Sequence, residues 1–150
     1  MISDNLIKLI EDSEGWSSTP YQDSVGVWTI GYGFTHYPNG SPVTAHSSAI
    51  TKEYGNETLA ELLEQFINGV NAMCPNCNQN QHDALVDFAF NLGLGSLKGS
   101  TLLKLVLANP DDPKIADEFG KWVHAGGEIL PGLVKRRAAE SRLYFTPCNS

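Results

Sequence analysis

Glu14, Asp23 and Thr29 fall within one stretch, EGWSSTPYQDSVGVWTIGYG, and bring together two carboxylates and a hydroxyl in unlike settings. Glu14 ends an apolar-periodic segment and is followed at once by Gly15, whereas Asp23 and Thr29 flank a turn at Gly26 between two strand-like runs. One carboxyl that holds its proton beside a second that stays ionised suits acid-catalysed hydrolysis of a glycosidic bond. Glu14 is placed for the first duty. A helix C-terminus carries partial negative charge that disfavours a carboxylate, Glu11 one turn back and Asp12 add like charge, and Trp16 with apolar neighbours is at hand to exclude water. Asp23, in the polar turn of Gln22, Asp23 and Ser24, is placed for the second, and Thr29 would hold the water it activates. Each residue also has a plainer reading: a surface carboxylate, a turn aspartate bonding its own backbone, and a threonine that is simply a good strand former.

The elements that must position these groups can be read from the pattern. Leu6, Ile7, Leu9 and Ile10 predict a first helix, capped by Ser3 and stopped at Gly15. From Thr19 to Tyr37 the aromatic and β-branched residues, punctuated by Pro20, Gly26, Gly31 and Gly33, predict a small sheet of short antiparallel strands. The two last glycines would let a substrate or another backbone come close to the strand. Residues 35–50, rich in hydroxyls and turn formers, read as a surface loop, and a short helix weakened by Gly55 follows Thr51. Leu59, Leu62, Leu63, Phe66, Ile67, Val70 and Met73 then share one helical face after an N-cap at Asn56, until Pro75 bars continuation. Some 17 residues at 1.5 Å each give about 25 Å, enough to link two lobes. A central buried helix over Gln81–Leu92, ended by Gly93 and Gly95, precedes helical stretches at Ser100–Ala108, Pro113–Val123 and Pro131–Tyr144, the last two separated by Ala125-Gly126-Gly127. The sum is an α+β fold in one domain spanning 1–150. It divides into a β-bearing lobe near 15–55, a linking helix at 57–73, and a helical lobe of 75–150 plus the first helix. Phe119 and Trp122 read as core.

Composition narrows the partners. With 150 residues, 41% hydrophobic and 18% charged, the chain has the make-up of a globular domain. Its net charge of −7 and lack of a basic stripe argue against nucleic acid, and equally against long-range attraction to an anionic wall. The longest apolar run, Leu102–Ala108, is too short for a bilayer, and the polar start MISDNLIKLI does not read as a signal peptide, so membrane insertion is not expected. Cys74 and Cys77 frame Pro75-Asn76; with Cys148 they make no disulfide framework, and they read as plain thiols, a local disulfide after export being the alternative. His36, His46, His82 and His124 are scattered without ligand spacing, so no metal site is expected.

The run from Glu14 through eight residues to Asp23, and five more to Thr29, continued by Ile30-Gly-Tyr-Gly33, resembles the catalytic region of the phage-type lysozymes, the T4-like endolysins of glycoside hydrolase family 24. NQNQHDALVDFAFNLGLGSLKGSTLL resembles that family's central helix and following turn, and Ala116–Trp122, Gly126-Gly127 and GLVKRRAAESRLY its C-terminal helices; residues 35–58 are the least familiar. Phe34, where such enzymes often carry His, and His82, where many carry Phe, depart from the pattern. The resemblance implies a lysozyme-like fold. It also implies a muramidase that hydrolyses the β-1,4 bond between N-acetylmuramic acid and N-acetylglucosamine with inversion, using Glu14 as acid, Asp23 as base and Thr29 as water holder, without metal or organic cofactor. An inverting pair stands about 6.5–9.5 Å apart, a retaining pair about 5–5.5 Å. Asn91 would face the cleft or cap its helix, Trp16 and Tyr32 would line the cleft, and Arg136 or Arg137 would reach an acid near the site or form a structural pair. The implied setting is a monomer acting on peptidoglycan strands, held in the host cytoplasm until a holin-type lesion releases it to the periplasm and wall. A lytic transglycosylase on the same bond and a non-catalytic peptidoglycan-binding module are the competing readings.

Overall fold

A computed structural model of the chain describes residues 2–148; Met1, Asn149 and Ser150, at the ends of the expected domain, lie outside the described residues. The chain forms two compact units, Met1–Glu64 and Gln65–Ser150, and is largely helical with short antiparallel strand pairs, an α+β composition.

In the first unit, α1 (Asp4–Glu14) starts where the Ser3 hydroxyl accepts the Leu6 N–H at 3.1 Å and stops at Gly15, whose φ of 77° is open to glycine at little cost. Its buried face carries Leu6, Leu9 and Ile10. Strands β1 (Ser17–Gln22) and β2 (Trp28–Gly31) pair antiparallel with Tyr21 opposite Thr29 and Gln22 opposite Trp28; an irregularity between Ser17 and Tyr21 surrounds Pro20, which has no N–H to give a ladder. At the end of β2, Ile30 and Phe34 exchange backbone hydrogen bonds of 2.9 and 2.8 Å. The chain reverses between them through Gly31 and Gly33, both at positive φ. The 35–50 segment is more ordered than a plain loop. Tyr37 N–H bonds Ser41 O, Val43 N–H bonds Thr35 O with Val43 buried, and Ile50 N–H reaches Ser18 O at 2.9 Å, tying the segment to β1.

One continuous helix, α2 (Lys52–Met73), replaces the expected short helix and separate linker. Its first turn is closed by Thr51, whose Oγ1 accepts the Tyr54 N–H at 3.0 Å, so Asn56 is not an N-cap. Gly55, expected to weaken the helix, is the place where the Trp16 indole lies: a Cβ there would stand 2.4 Å from the ring. The unit boundary falls within this helix.

In the second unit, Cys74 and Cys77 form a disulfide, correcting the expectation of plain thiols. Pro75 ends α2, and the turn after it, with Cys77 N–H on Cys74 O, sets the two Cα atoms 5.7 Å apart, within the ordinary span of such a bridge. Cys148 is a free thiol whose sulfur accepts the Asn80 N–H at 3.3 Å. Helix α3 (Gln79–Leu92) begins with a reciprocal capping box between Asn78 and Gln81 and is buried from Asn80 to Ala89, the central helix of this unit. Gly93 ends it, but Gly95 does not; it lies inside α4 (Leu94–Lys98). Ser100 caps α5 (Thr101–Ala108), and α6 (Lys114–Phe119) is shorter than the expected Pro113–Val123. A small hairpin of β3 (His124–Ala125) and β4 (Glu128–Ile129) turns on Gly126-Gly127, both at positive φ, as a two-residue hairpin loop requires. Helix α7 (Pro131–Tyr144) packs on α3, and Phe88, Phe119 and Trp122 meet edge to face in the core.

Candidate active site

Glu14, Asp23 and Thr29 all belong to the first unit. Glu14 is the last residue of α1 and half-buried. Gly33 faces its carboxyl: a Cβ on Gly33, which has φ of 81°, would lie 2.7 Å from Glu14 Oε2 and 3.3 Å from Glu14 Cβ. The bare glycine thus gives the acid its seat. The two acidic neighbours invoked from sequence are themselves paired, Glu11 to Lys52 at 2.6 Å and Asp12 to Lys8 at 3.2 Å.

Asp23 is held by its own turn. Its N–H bonds Val27 O at 2.9 Å, and its Oδ1 accepts the N–H groups of Val25 and Val27, both at 2.9 Å, while Gly26 N–H bonds its carbonyl. Two N–H donors on one oxygen fix the orientation of the carboxyl. Oδ2 takes neither of these bonds. Thr29 is buried at 4% exposure, and its hydroxyl donates to Val27 O at 2.9 Å. With its proton committed there, Thr29 Oγ1 can only accept from a further partner.

Trp16, half-buried, stacks against Tyr32 with ring centroids 4.8 Å apart, and the Lys52 ammonium lies 5.0 Å from the Trp16 ring and 5.5 Å from that of Tyr32. Tyr32 does not line an open surface as expected: it is 1% exposed, and its hydroxyl donates to Asn56 Oδ1. Its role is internal support, tying the turn after β2 to α2. Phe34 is likewise buried, its ring against Gly31 where a Cβ would stand 2.7 Å away. Tyr21, which the sequence reading treated only as a strand residue, has its phenol in the field of the site. Burial first, and then the charges of Glu14 and Asp23, raise its ionisation above the ordinary value.

The second unit holds the remaining candidates. Arg136 grips Asp87 with both arms of its guanidinium, Nε to Oδ2 at 3.0 Å and Nη2 to Oδ1 at 2.7 Å. Arg137 donates to Asn91 Oδ1, pairs with Glu140 at 3.0 Å and lies over the Phe88 ring. Asn91 is therefore not the cap of α3, a place taken by Gly93. Burial, and then a hydrogen bond and repulsion from Asp87, push Glu140 well above the usual carboxylate range, while Asp87 is drawn below it by its bonds to Glu140 and Arg136 against the opposing effect of burial. Among the described residues no cluster of His, Cys, Asp and Glu is arranged to hold a metal.

A helical fold of this order, with an acid at the end of the first helix facing a glycine turn and a turn aspartate beside a strand threonine, defines a lysozyme-like class. The Phage lysozyme family matches residues 11–140, and the chain belongs to it. It is 40% identical over 148 residues to the endolysin of Bacillus phage B103, covering 97% of this chain and 54% of that one. The chain thus spans about half the length of the first curated relatives it matches. Among solved structures, it superposes on the endolysin from Escherichia coli O157:H7 phage FAHEc1 with a TM-score of 0.87 at 30% identity, covering 97% of this chain and 93% of that one. The muramidase domain of SpmX from Asticaccaulis excentricus gives a TM-score of 0.75 at 31% identity, covering 98% and 99%.

Proposed function

We propose that the chain is an endolysin that hydrolyses the β-1,4 bond between N-acetylmuramic acid and N-acetylglucosamine in peptidoglycan, with inversion. The observation that carries this reading is the division of labour at Asp23 and Thr29. A water that gives one hydrogen to Thr29 Oγ1, whose own proton is spent on Val27 O, and the other to Asp23 Oδ2 turns a lone pair outward to the sugar's anomeric carbon. As that carbon is attacked, Asp23 takes the proton and Glu14 gives its own to the leaving oxygen. Family membership and the muramidase and endolysin relatives support the substrate class. A transglycosylase would have no use for a water held in this way, and a binding module no use for an acid seated against a glycine. Asn91, positioned by Arg137, and Trp16 are the further residues we propose for glycan contact.

The test is digestion of purified peptidoglycan by wild type, Glu14→Gln and Asp23→Asn with end-group analysis. Reducing ends of inverted anomeric configuration from wild type, and losses of at least about 100-fold in both variants, are expected. Anhydro ends identify the transglycosylase, full activity in Glu14→Gln removes the catalytic assignment, and a covalent glycosyl adduct on Asp23 refutes inversion. By the same family reading the enzyme works as a monomer and reaches the wall from the host cytoplasm through a holin-type lesion. Lysis of expressing cells should then require a co-expressed holin.

A further inference from the structure

Tyr21 stands opposite Thr29 in the β1–β2 ladder. Directly opposed residues of an antiparallel pair put their side chains on one face, with Cβ atoms about 4.5–5.5 Å apart. Tyr21 is also two residues before Asp23, which follows directly on the end of β1. Tyr21 is 37% exposed, and among the described residues no protein group hydrogen-bonds its hydroxyl. Both carboxylates act on it electrostatically, Glu14 more strongly than Asp23.

We propose that Tyr21 is a substrate-contacting residue of this site, its phenol donating a hydrogen bond to a hydroxyl or amide oxygen of the sugar held between Glu14 and Asp23. The proposal rests on the glycosidase reading above and adds a residue to it. The chemistry suits a donor that is not an acid catalyst. Burial first, and then carboxylate charge at the site, raise the phenol above its already high ordinary value, so it stays protonated in the range in which the carboxyl pair works and offers a hydrogen to a neutral sugar oxygen without competing for the proton Glu14 must deliver. A residue wanted only to fill the strand face would need the ring, not the hydroxyl, and phenylalanine would serve equally.

Tyr21→Phe separates the two roles. On soluble peptidoglycan fragments, assayed by reducing ends, the contact predicts a KM raised about tenfold with kcat little changed. Both limbs of the pH–rate profile should stay where they are, since no titrating group of the working range is removed, and the unfolding midpoint should match wild type. Wild-type kinetics in Tyr21→Phe overturn the proposal, as does a fall in kcat with KM unmoved, the signature of a damaged fold or a smaller active fraction. Glu14→Gln and Asp23→Asn measured alongside keep the two failures distinct. If both are inactive while Tyr21→Phe is normal, only the Tyr21 contact fails; if either keeps full activity, the glycosidase reading itself falls.

Discussion

Glu14 is defined at the residue scale as much by what is missing beside it as by what is present. The side of Gly33 that an L-residue would fill is occupied by the Glu14 carboxyl, at 2.7 Å from the position of a Cβ, and the φ of 81° is itself one that side chains rarely adopt. Gly33→Ala therefore meets two penalties: backbone strain of about 1–2 kcal/mol and a displaced acid, for which a shift near 1 Å costs up to about 100-fold in rate. Denaturant melts and turbidity assays on the purified variant should show a modest loss of stability beside a much larger loss of activity. Activity falling only in step with stability would mean that the seat does not set the position of the acid. The settings of Glu14, Asp23 and Thr29 were legible in the sequence because each rests on local signals: a helix stop, an Asp turn and a strand. Tyr21 was not, since a tyrosine on a strand is commonplace and only the ladder register brings it opposite Thr29. Tyr32 was misread for the complementary reason, its hydroxyl partner Asn56 being 24 residues away.

Among the elements, the packing of α7 on α3 places Asp87, Glu140, Arg136 and Arg137 together out of water. As two carboxylates, Asp87 and Glu140 cannot bond each other, and both oxygens of an ionised Glu140 lack a hydrogen-bond donor; a proton on Glu140 resolves this by bonding Asp87. Glu140 is accordingly raised in the folded protein, and Asp87 lowered. For Glu140 the folded state keeps a proton that the unfolded chain releases above about pH 4.3, so its contribution is full below that value and is lost as pH rises toward its folded pKa. For Asp87 the contribution is present above about pH 3.9 and is lost as pH falls through its lower folded value. Glu140→Gln keeps a neutral donor to Asp87 without the proton linkage. Urea unfolding at pH 5, 6.5 and 8 should therefore show the variant gaining on wild type as pH rises; parallel curves would show that Glu140 does not hold a proton in the folded state. The helices themselves were legible wherever their ends are coded locally, as at Ser3 and Gly15 for α1 and at Pro131 for α7. The start of α2 was not, because the Gly55 that weakens a helix in isolation is required by the Trp16 ring lying on it. Nor was the Cys74–Cys77 bridge, which depends on how the turn after Pro75 closes.

For the molecule as a whole, net charge decides how it meets its proposed substrate. At −7 the chain is repelled at long range by an anionic wall, the reverse of the attraction a basic wall-degrading enzyme enjoys. Of the ten basic residues, Arg136 and Arg137 are buried and engaged with Asp87, Asn91 and Glu140, so they add nothing to the outer surface. Salt should then help rather than hinder. Between 0.01 and 0.15 M ionic strength the screening length falls from about 30 to about 8 Å, short enough to remove most of the repulsion before contact while leaving the hydrogen bonds within Asp23's turn intact. The initial rate on intact, charged cell walls at limiting substrate should rise about threefold or more over that range, whereas the rate on neutral chitin-type oligosaccharides should be nearly flat. The contrast between the two substrates isolates the long-range field from any effect of salt on folding. A rate on walls that declines steadily with salt would mean that a local cationic surface, not the net charge, governs the encounter.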